Sequence, residues 1–496
     1  MKPAGVVLLA LVPLLGSPVD TGPLRVSANH RFLVQADGTP FFWLADTAWE
    51  LFHRTTREQA EMYLENRRQK HFTVIQAVVL AELDGLDDPN SYGEHPLIGN
   101  DPTKANDAYF RYVDWVIQTA AGKGLIVALL PTWGNKVVRG SWEKTAPIIF
   151  NTDNARVYGR WIGKRYRDTP NLVWVLGGDR NPDGVEGIWR EMARGLREGD
   201  GGRHLITFHP NGQSSSSQRL HNEDWLDFNM IQSGHAAKDH ANYEYVDRDY
   251  RLSPVKPTVD GESRYEDHPV NWQPEKNGWF DEIDIRQSAY WATFAGAFGH
   301  TYGCHPIWQM LAPGRKPVGY ARHNWTEVLD LPGASQLQYL RALMESRPFL
   351  SRVPDQSLIV DNPERGTDHA QATRGDGYAF VYIPSGRPMK VRLGQISGKA
   401  LKTWWYDPRT GAAKAIATFA NAGEKDFSPP GSPSRGNDWV LVLDDSALKF
   451  SIPGQGTRKV DRMQAREVGR TKQGAVKRRR ALFFRVISSV KPYEVV

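Results

Sequence analysis

A (β/α)8 TIM barrel followed by a small antiparallel β-sandwich is the fold this sequence predicts, and three observations predict it. Eight short apolar runs alternate with helix-like patterns over about 320 residues, the period of a barrel of that kind. Two of those runs close on a carboxylate beside glycine: Leu172-Val173-Trp174-Val175-Leu176-Gly177-Gly178-Asp179 and Lys256-Pro257-Thr258-Val259-Asp260-Gly261-Glu262. From about Val353 the pattern changes to short strands separated by turns such as Pro384-Ser385-Gly386, Asp407-Pro408-Arg409-Thr410-Gly411 and Pro429-Pro430-Gly431, the signature of a sandwich.

The elements follow in order. Phe41 to Thr47 reads as the first strand, with Asp46 near its end. Thr55-Thr56-Arg57-Glu58 resembles a capping box opening a helix to about Lys70, because a hydroxyl and an acid at that spacing satisfy the free N–H groups of a first turn. Thr73 to Leu80 is the second strand, Asn106 to Ala121 a helix closed by Gly122-Lys123-Gly124, and Leu125 to Pro131 the third strand. A helix from Asn154 to Arg167 precedes the fourth strand, which ends at Asp179. After a helix from Gly187 to Arg197 come strands at Leu205 to His209, Phe228 to His235 and Lys256 to Glu262. A helix from Asp284 to Phe298, an eighth strand from Tyr302 to Met310 and a helix from Ser335 to Glu345 complete the series. The competing architecture, a doubly wound open sheet, is disfavoured because no glycine-rich dinucleotide turn follows the first strand. The sandwich strands fall at Tyr378 to Ile383, Met389 to Leu393, Leu401 to Tyr406 and Trp439 to Leu443. The expected domains are a barrel over 25–350 and a sandwich over 354–446.

Composition narrows the function classes. With 40% hydrophobic and 24% charged residues the 496-residue chain reads as soluble and globular. Its 17 tryptophans suit stacking on sugar faces, although large cores also consume tryptophan. The net charge of +6 invites a nucleic-acid partner, but residues 452–496 alone carry +9, which leaves the body at −3. The basic character belongs to a tail containing Lys477-Arg478-Arg479-Arg480, a solvated and disordered end by composition, so no nucleic-acid partner is expected. Residues 1–20 read as a signal peptide: Lys2 precedes an apolar stretch from Ala4 to Leu15, too short to span a bilayer. Export without stable membrane insertion is the expectation. Cys304, the single cysteine, excludes internal disulfides.

Two carboxyl groups facing each other across a cleft are what glycoside hydrolysis needs, one to protonate the leaving oxygen and one to attack or to activate water. Burying acids is costly, so acids repeated at the ends of buried strands point to chemistry rather than packing. Strand alternation places residues 258, 260 and 262 on one face, which puts Asp260 a layer below Glu262 and makes Glu262 the better nucleophile. Counted along the barrel, Asp179 ends the fourth strand and Glu262 the seventh.

Phe42-Trp43-Leu44-Ala45-Asp46-Thr47-Ala48-Trp49, the Asn171 to Asp179 run and Asp260-Gly261-Glu262 together resemble the apiosidase-like enzymes of glycoside hydrolase family 140. The resemblance covers Asn29 to Met344 and extends to the following sandwich. It implies a retaining mechanism with Asp179 as general acid/base and Glu262 as nucleophile. It also implies plant cell-wall pectic glycans as substrate and apiose or a related pentofuranose as product. Many enzymes of the wider clan carry Asn-Glu after strand four, where this chain has Gly178-Asp179.

Other polar and aromatic residues at strand ends are candidate substrate-binding residues: Asp46 after the first strand, Trp133 after the third, His209 and His235 after the fifth and sixth, and Trp308 near the eighth. An oligosaccharide or polysaccharide is the expected partner. No cofactor and no metal is expected: a histidine pair after the first strand is missing, as is His-Glu-x-x-His. Gly212-Gln213-Ser214-Ser215-Ser216 lacks the closing glycine of a nucleophile elbow, and no phosphate loop occurs. The alternative from another class is a non-catalytic carbohydrate- or matrix-binding protein on a barrel scaffold.

Overall fold

The computed structural model of the chain describes residues 22–140 and 147–456; the expected signal peptide and nearly all of the basic tail lie outside the described residues. Eight parallel strands form the barrel: β1 (Trp43–Thr47), β2 (Val74–Leu80), β3 (Ile126–Thr132), β4 (Leu172–Gly177), β5 (Ile206–His209), β6 (Asn229–Gln232), β7 (Thr258–Glu262) and β8 (Gly299–Tyr302). Every residue of β2, β3 and β4 is buried, as parallel strands covered on both faces must be. The ladder runs β5-β4-β3-β2-β1-β8-β7-β6 and ends on the short strand Ser214–Ser215. The seam between β5 and β6 is bridged by the Asp227 N–H to Ile206 carbonyl bond (2.9 Å) and by the Thr207 hydroxyl on the Phe228 carbonyl (2.7 Å).

The eighth strand is a correction to the sequence reading. It spans Gly299–Tyr302, and His305–Trp308 is a helical turn rather than strand. Gly299 sets the place, because a Cβ there would lie 2.0 Å from the Trp43 carbonyl oxygen on β1. Pro306, which lacks an N–H, sits at the start of the turn that follows.

Among the described residues seven longer helices cover the strands: α1 (Arg57–Gln69), α2 (Asp107–Gly122), α3 (Thr152–Arg165), α4 (Glu186–Asp200), α5 (Asn242–Tyr250), α6 (Glu282–Phe294) and α7 (Pro332–Glu345). The cap of α1 is Thr56 paired with Gln59, one residue beyond the expected Thr55 and Glu58. Helices α3 and α4 flank β4 and pack backbone to backbone. A Cβ on Gly159 or Gly163 would fall 2.5–2.7 Å from carbonyls of α4, and one on Gly195 or Gly199 would fall 2.3 Å from carbonyls of α3.

The second lobe is antiparallel: β9 (Gln371–Gly375), β10 (Tyr378–Ile383), β11 (Met389–Arg392), β12 (Ala400–Tyr406), β13 (Ala413–Ala420), β14 (Glu424–Phe427) and β15 (Trp439–Asp445). Strands β9-β10-β15-β12-β13 form one sheet extended by Val353–Pro354, while β11 pairs with β14 over its far face. Alternation along β10 splits its side chains between two cores. Tyr378, Phe380 and Tyr382 join the core of the barrel, whereas Ala379, Val381 and Ile383 pack beneath the β11–β14 pair. Tyr382 stacks on Tyr290 of α6 with ring centroids 4.8 Å apart. Two buried ion pairs cross the same boundary, Arg286–Asp438 (2.8 Å) and Arg347–Asp444 (2.7 Å). A shared core with paired charges makes the sandwich a structural buttress of the barrel.

Candidate active site

At the C-terminal end of β4, Gly177, Gly178 and Asp179 all adopt positive φ, at 84°, 110° and 53°. Glycine adopts such values freely, and Asp is among the few L residues that visit the left-handed region. Space adds a second requirement: a Cβ on Gly177 would lie 2.3 Å from the His209 carbonyl oxygen, and one on Gly178 2.6 Å from the Trp133 ring. The turn is tied to both neighbouring strand ends, through Gly178 N–H to the His209 carbonyl (3.0 Å) and Gly134 N–H to the Gly178 carbonyl (3.2 Å). Asp179 thus stands on a rigid, strained corner at the mouth of the barrel, with its side chain one quarter exposed.

Glu262 ends β7, and here the alternation expected from the sequence is broken. The pairing steps from Ile231–Asp260 directly to Gln232–Glu262, so Gly261 is an extra residue in β7. Such a bulge reverses the side-chain phase. Asp260 is turned outward, where it accepts from Ser233 Oγ (2.8 Å) and from Asn242 Nδ2 of α5 (2.9 Å). It does not lie beneath Glu262. The Gly261 carbonyl, freed by the bulge, accepts from Gln76 of β2 (2.9 Å). Glu262 faces two imidazoles: His209 Nε2 lies 3.0 Å from Oε2 and His235 Nε2 3.1 Å from Oε1. Arg264, two residues after Glu262 in the sequence, is bonded to the carbonyls of His240 and Asp284 and to Gln287.

One imidazole links the two acids. The Asp179 backbone N–H approaches His209 Nδ1 (3.3 Å), and the other ring nitrogen, Nε2, faces Glu262. The acids are held in opposite states. Burial and the negative charge of Glu262 push Asp179 up from 3.8 to about 6, against the pull of Arg180, His209 and Gln232. Burial also disfavours the charge on Glu262, but the two imidazoles facing its oxygens, His209 and His235, outweigh it and hold Glu262 down at about 2. Between those values one carboxyl keeps its proton while the other is an anion, the division of labour that acid-assisted displacement requires.

A cavity of about 750 Å³ opens over the pair and includes Trp133, His235, Trp308 and Trp272 in its walls, a size suited to a small ligand. Trp133 is 2% exposed and packs on Trp49, centroids 5.1 Å apart. Trp308 is 6% exposed, and its Nε1 donates to His305 Nδ1 (3.1 Å). Both are walls rather than open platforms. Asp46 is a correction: it is fully buried and points into the helical layer, where it accepts from Tyr63 (2.5 Å) and Arg67 (2.6 Å) of α1. It has no place in the cleft.

Residues the sequence reading did not single out also line the cavity. Glu82 follows β2, and Gln232 ends β6 beside Asp179. Trp272 is 45% exposed at the rim, in a turn where Asn271 and Trp272 both have positive φ. Two left-handed non-glycine residues in succession were not legible from the sequence, and an acid two residues after an expected strand carries no spacing signal. Among the described residues no group of three or more histidine, cysteine or acidic side chains could hold a metal ion, and no helix is long and apolar enough to cross a membrane.

Comparison with known proteins agrees with this geometry. Residues 27–351 match the apiosidase-like catalytic domain family, and residues 353–444 match a family described as a collagen-binding domain of a collagenase. A solved glycoside hydrolase is 37% identical, with 87% of this chain and 98% of the other covered and a TM-score of 0.81. A glycoside hydrolase family 5 structure from Bacteroides vulgatus is 33% identical over 90% of this chain and 98% of its own length, with a TM-score of 0.82. No curated protein matches the chain. The match over residues 27–351, on a barrel with acids at the ends of its fourth and seventh strands, places the protein in the apiosidase-like family of glycoside hydrolases.

Proposed function

We propose that the protein is an exported retaining glycosidase that acts on pectic glycans of the plant cell wall and releases apiose or a related pentofuranose. Asp179 is the general acid/base and Glu262 the nucleophile. The observation that carries these roles is the placement of the two acids on either side of His209, with burial raising Asp179 and two imidazoles holding Glu262 down. In the first step a Glu262 carboxylate oxygen bonds to the anomeric carbon as the glycosidic C–O bond breaks, and the Asp179 proton goes to the leaving oxygen. In the second step the Asp179 carboxylate takes a proton from water, whose oxygen displaces Glu262 and restores both acids. His209 and His235 keep the resting Glu262 ionised by facing its two oxygens.

The sugar is read from the family description, and a cavity of about 750 Å³ suits a terminal unit rather than a long polymer segment. The charge and apolar stretch at residues 1–20 support export. Analysis of monosaccharides released from a panel of pectic oligosaccharides tests the substrate; release of only hexoses would overturn the pentofuranose assignment. Mass spectrometry of Asp179→Ala incubated with an activated aryl glycoside should find one glycosyl unit esterified to Glu262. An intact variant that turns over with no such adduct, giving an inverted product, would overturn retention.

A further inference from the structure

Glu82, like Asp84, brings a further carboxyl group to the cleft, one that neither step above uses. It follows β2 at the barrel mouth and lines the same cavity as Asp179 and Glu262. Its backbone is clamped on both sides. Lys136 Nζ donates to the carbonyls of Ala81 (2.5 Å) and Glu82 (3.4 Å), and the Leu83 N–H donates to Glu50 Oε1 (3.0 Å). Glu50 is itself buried and bonded to His53 (2.7 Å). The side chain contrasts with this fixed main chain: among the described residues no hydrogen bond or ion pair engages the Glu82 carboxyl, and it is only partly buried. A carboxyl on a rigid support, lining a ligand cavity and bonded to no protein group, is free to meet a ligand.

Its surroundings define what it can offer. Burial, then the charge of Asp179 and of Glu50, push Glu82 up to about 8, against the opposing charges of Arg180 and Lys136. At neutral pH it therefore carries a proton and presents one O–H donor and one carbonyl acceptor side by side. Adjacent hydroxyls of a sugar match that arrangement, one accepting and the other donating. An ionised carboxylate would only accept.

We propose that Glu82 is a specificity-determining residue that binds a vicinal pair of hydroxyls on the sugar beside the scissile bond, donating to one and accepting from the other. This rests on the glycosidase reading of the cleft. The test uses the same pectic oligosaccharides in two arms: kcat and KM for hydrolysis between pH 4 and 9, and calorimetric binding to the inactive Glu262→Gln enzyme. Glu82→Ala should raise KM, and Kd in the Glu262→Gln background, by about 10- to 100-fold, as expected when a paired polar contact is lost, with kcat changed far less. Glu82→Gln, which keeps a donor and an acceptor but cannot ionise, should restore most of the affinity. It should also abolish the weakening of binding that the parent shows above about pH 8. An unchanged Kd in Glu82→Ala, or no binding by any diol-bearing member of the panel, overturns the proposal. So does loss of turnover in Glu82→Gln as complete as in Glu262→Gln, which would make Glu82 part of the chemistry itself. Binding that depends on Glu82 without any turnover by the wild-type enzyme would refute the glycosidase roles while leaving the recognition role standing.

Discussion

Asp179→Asn should change activity and stability in opposite directions, and the size of both effects follows from its corner on β4. In the wild-type enzyme, burial and the Glu262 charge hold this carboxyl at about 6 instead of 3.8. At about 1.4 kcal/mol per pH unit, ionising it in the folded protein costs about 3 kcal/mol more than in the unfolded chain. The folded state therefore binds more protons than the unfolded state between pH 3.8 and 6, and stability falls as pH rises through that window. Above it the cost is fully present. The neutral amide removes it, so Asp179→Asn should be more stable than wild type by up to about 3 kcal/mol at pH 8 and no more stable at pH 3. Kinetics run the other way. Above pH 6 the wild-type kcat/KM should fall about tenfold per pH unit as the acid loses its proton. The variant should lose that alkaline limb, and about 10²- to 10⁴-fold of activity on natural glycosides, with a much smaller loss on aryl glycosides whose leaving groups need no proton. Urea unfolding and kcat/KM profiles from pH 3 to 9 measure both effects. An alkaline limb near 6 that persists in the variant, or a stability difference that does not grow between pH 3.8 and 6, would refute the assignment of Asp179 as the buried acid.

Three other substitutions probe the supports of the site. His209→Ala removes one of two imidazoles that offset the burial of Glu262, so the acid limb of kcat/KM should move upward from about 2 in its pH profile; an unmoved limb would show that His235 alone sets it. Gly178→Ala forces a side chain onto a residue at φ 110° and against the Trp133 ring. Activity should fall at least about tenfold, since small displacements of catalytic groups are costly, while circular dichroism stays that of the folded protein. Asp438→Ala leaves Arg286 buried beneath the sandwich without its partner. Loss of one member of such a pair costs about 3–5 kcal/mol, and thermal unfolding should show barrel and sandwich destabilised together because they share one core. Independent melting of the two lobes would contradict that coupling.

Much of the barrel was legible because its buried parallel strands are unbroken apolar runs and its helices carry caps. Boundaries were less legible. All four residues of β8 are buried, so no alternation marks the strand, and the His305–Trp308 turn is apolar enough to resemble its continuation. The β4 acid was visible because a glycine doublet at a strand end marks a tight exit where the backbone takes φ values most residues avoid, as Gly177 and Gly178 do. Asp46 misled because an acid near a strand end looks the same in sequence whether it faces the mouth or the helices. Its partners Tyr63 and Arg67 lie a full helix turn apart on α1 and meet it only in the folded chain.

Sequence alone determined the architecture and the positions of two acids, since strand count and glycine-flanked carboxylates are local properties. The folded chain decided what those acids are. A bulge at Gly261 turned Asp260 away from the cleft and Glu262 toward two histidines. Long-range approach of His209 to both acids, and burial beneath the mouth, divided the proton between them. Glu82 entered the cleft the same way. Charge states depend on neighbours brought together across tens to hundreds of residues of chain, and no local pattern encodes those distances.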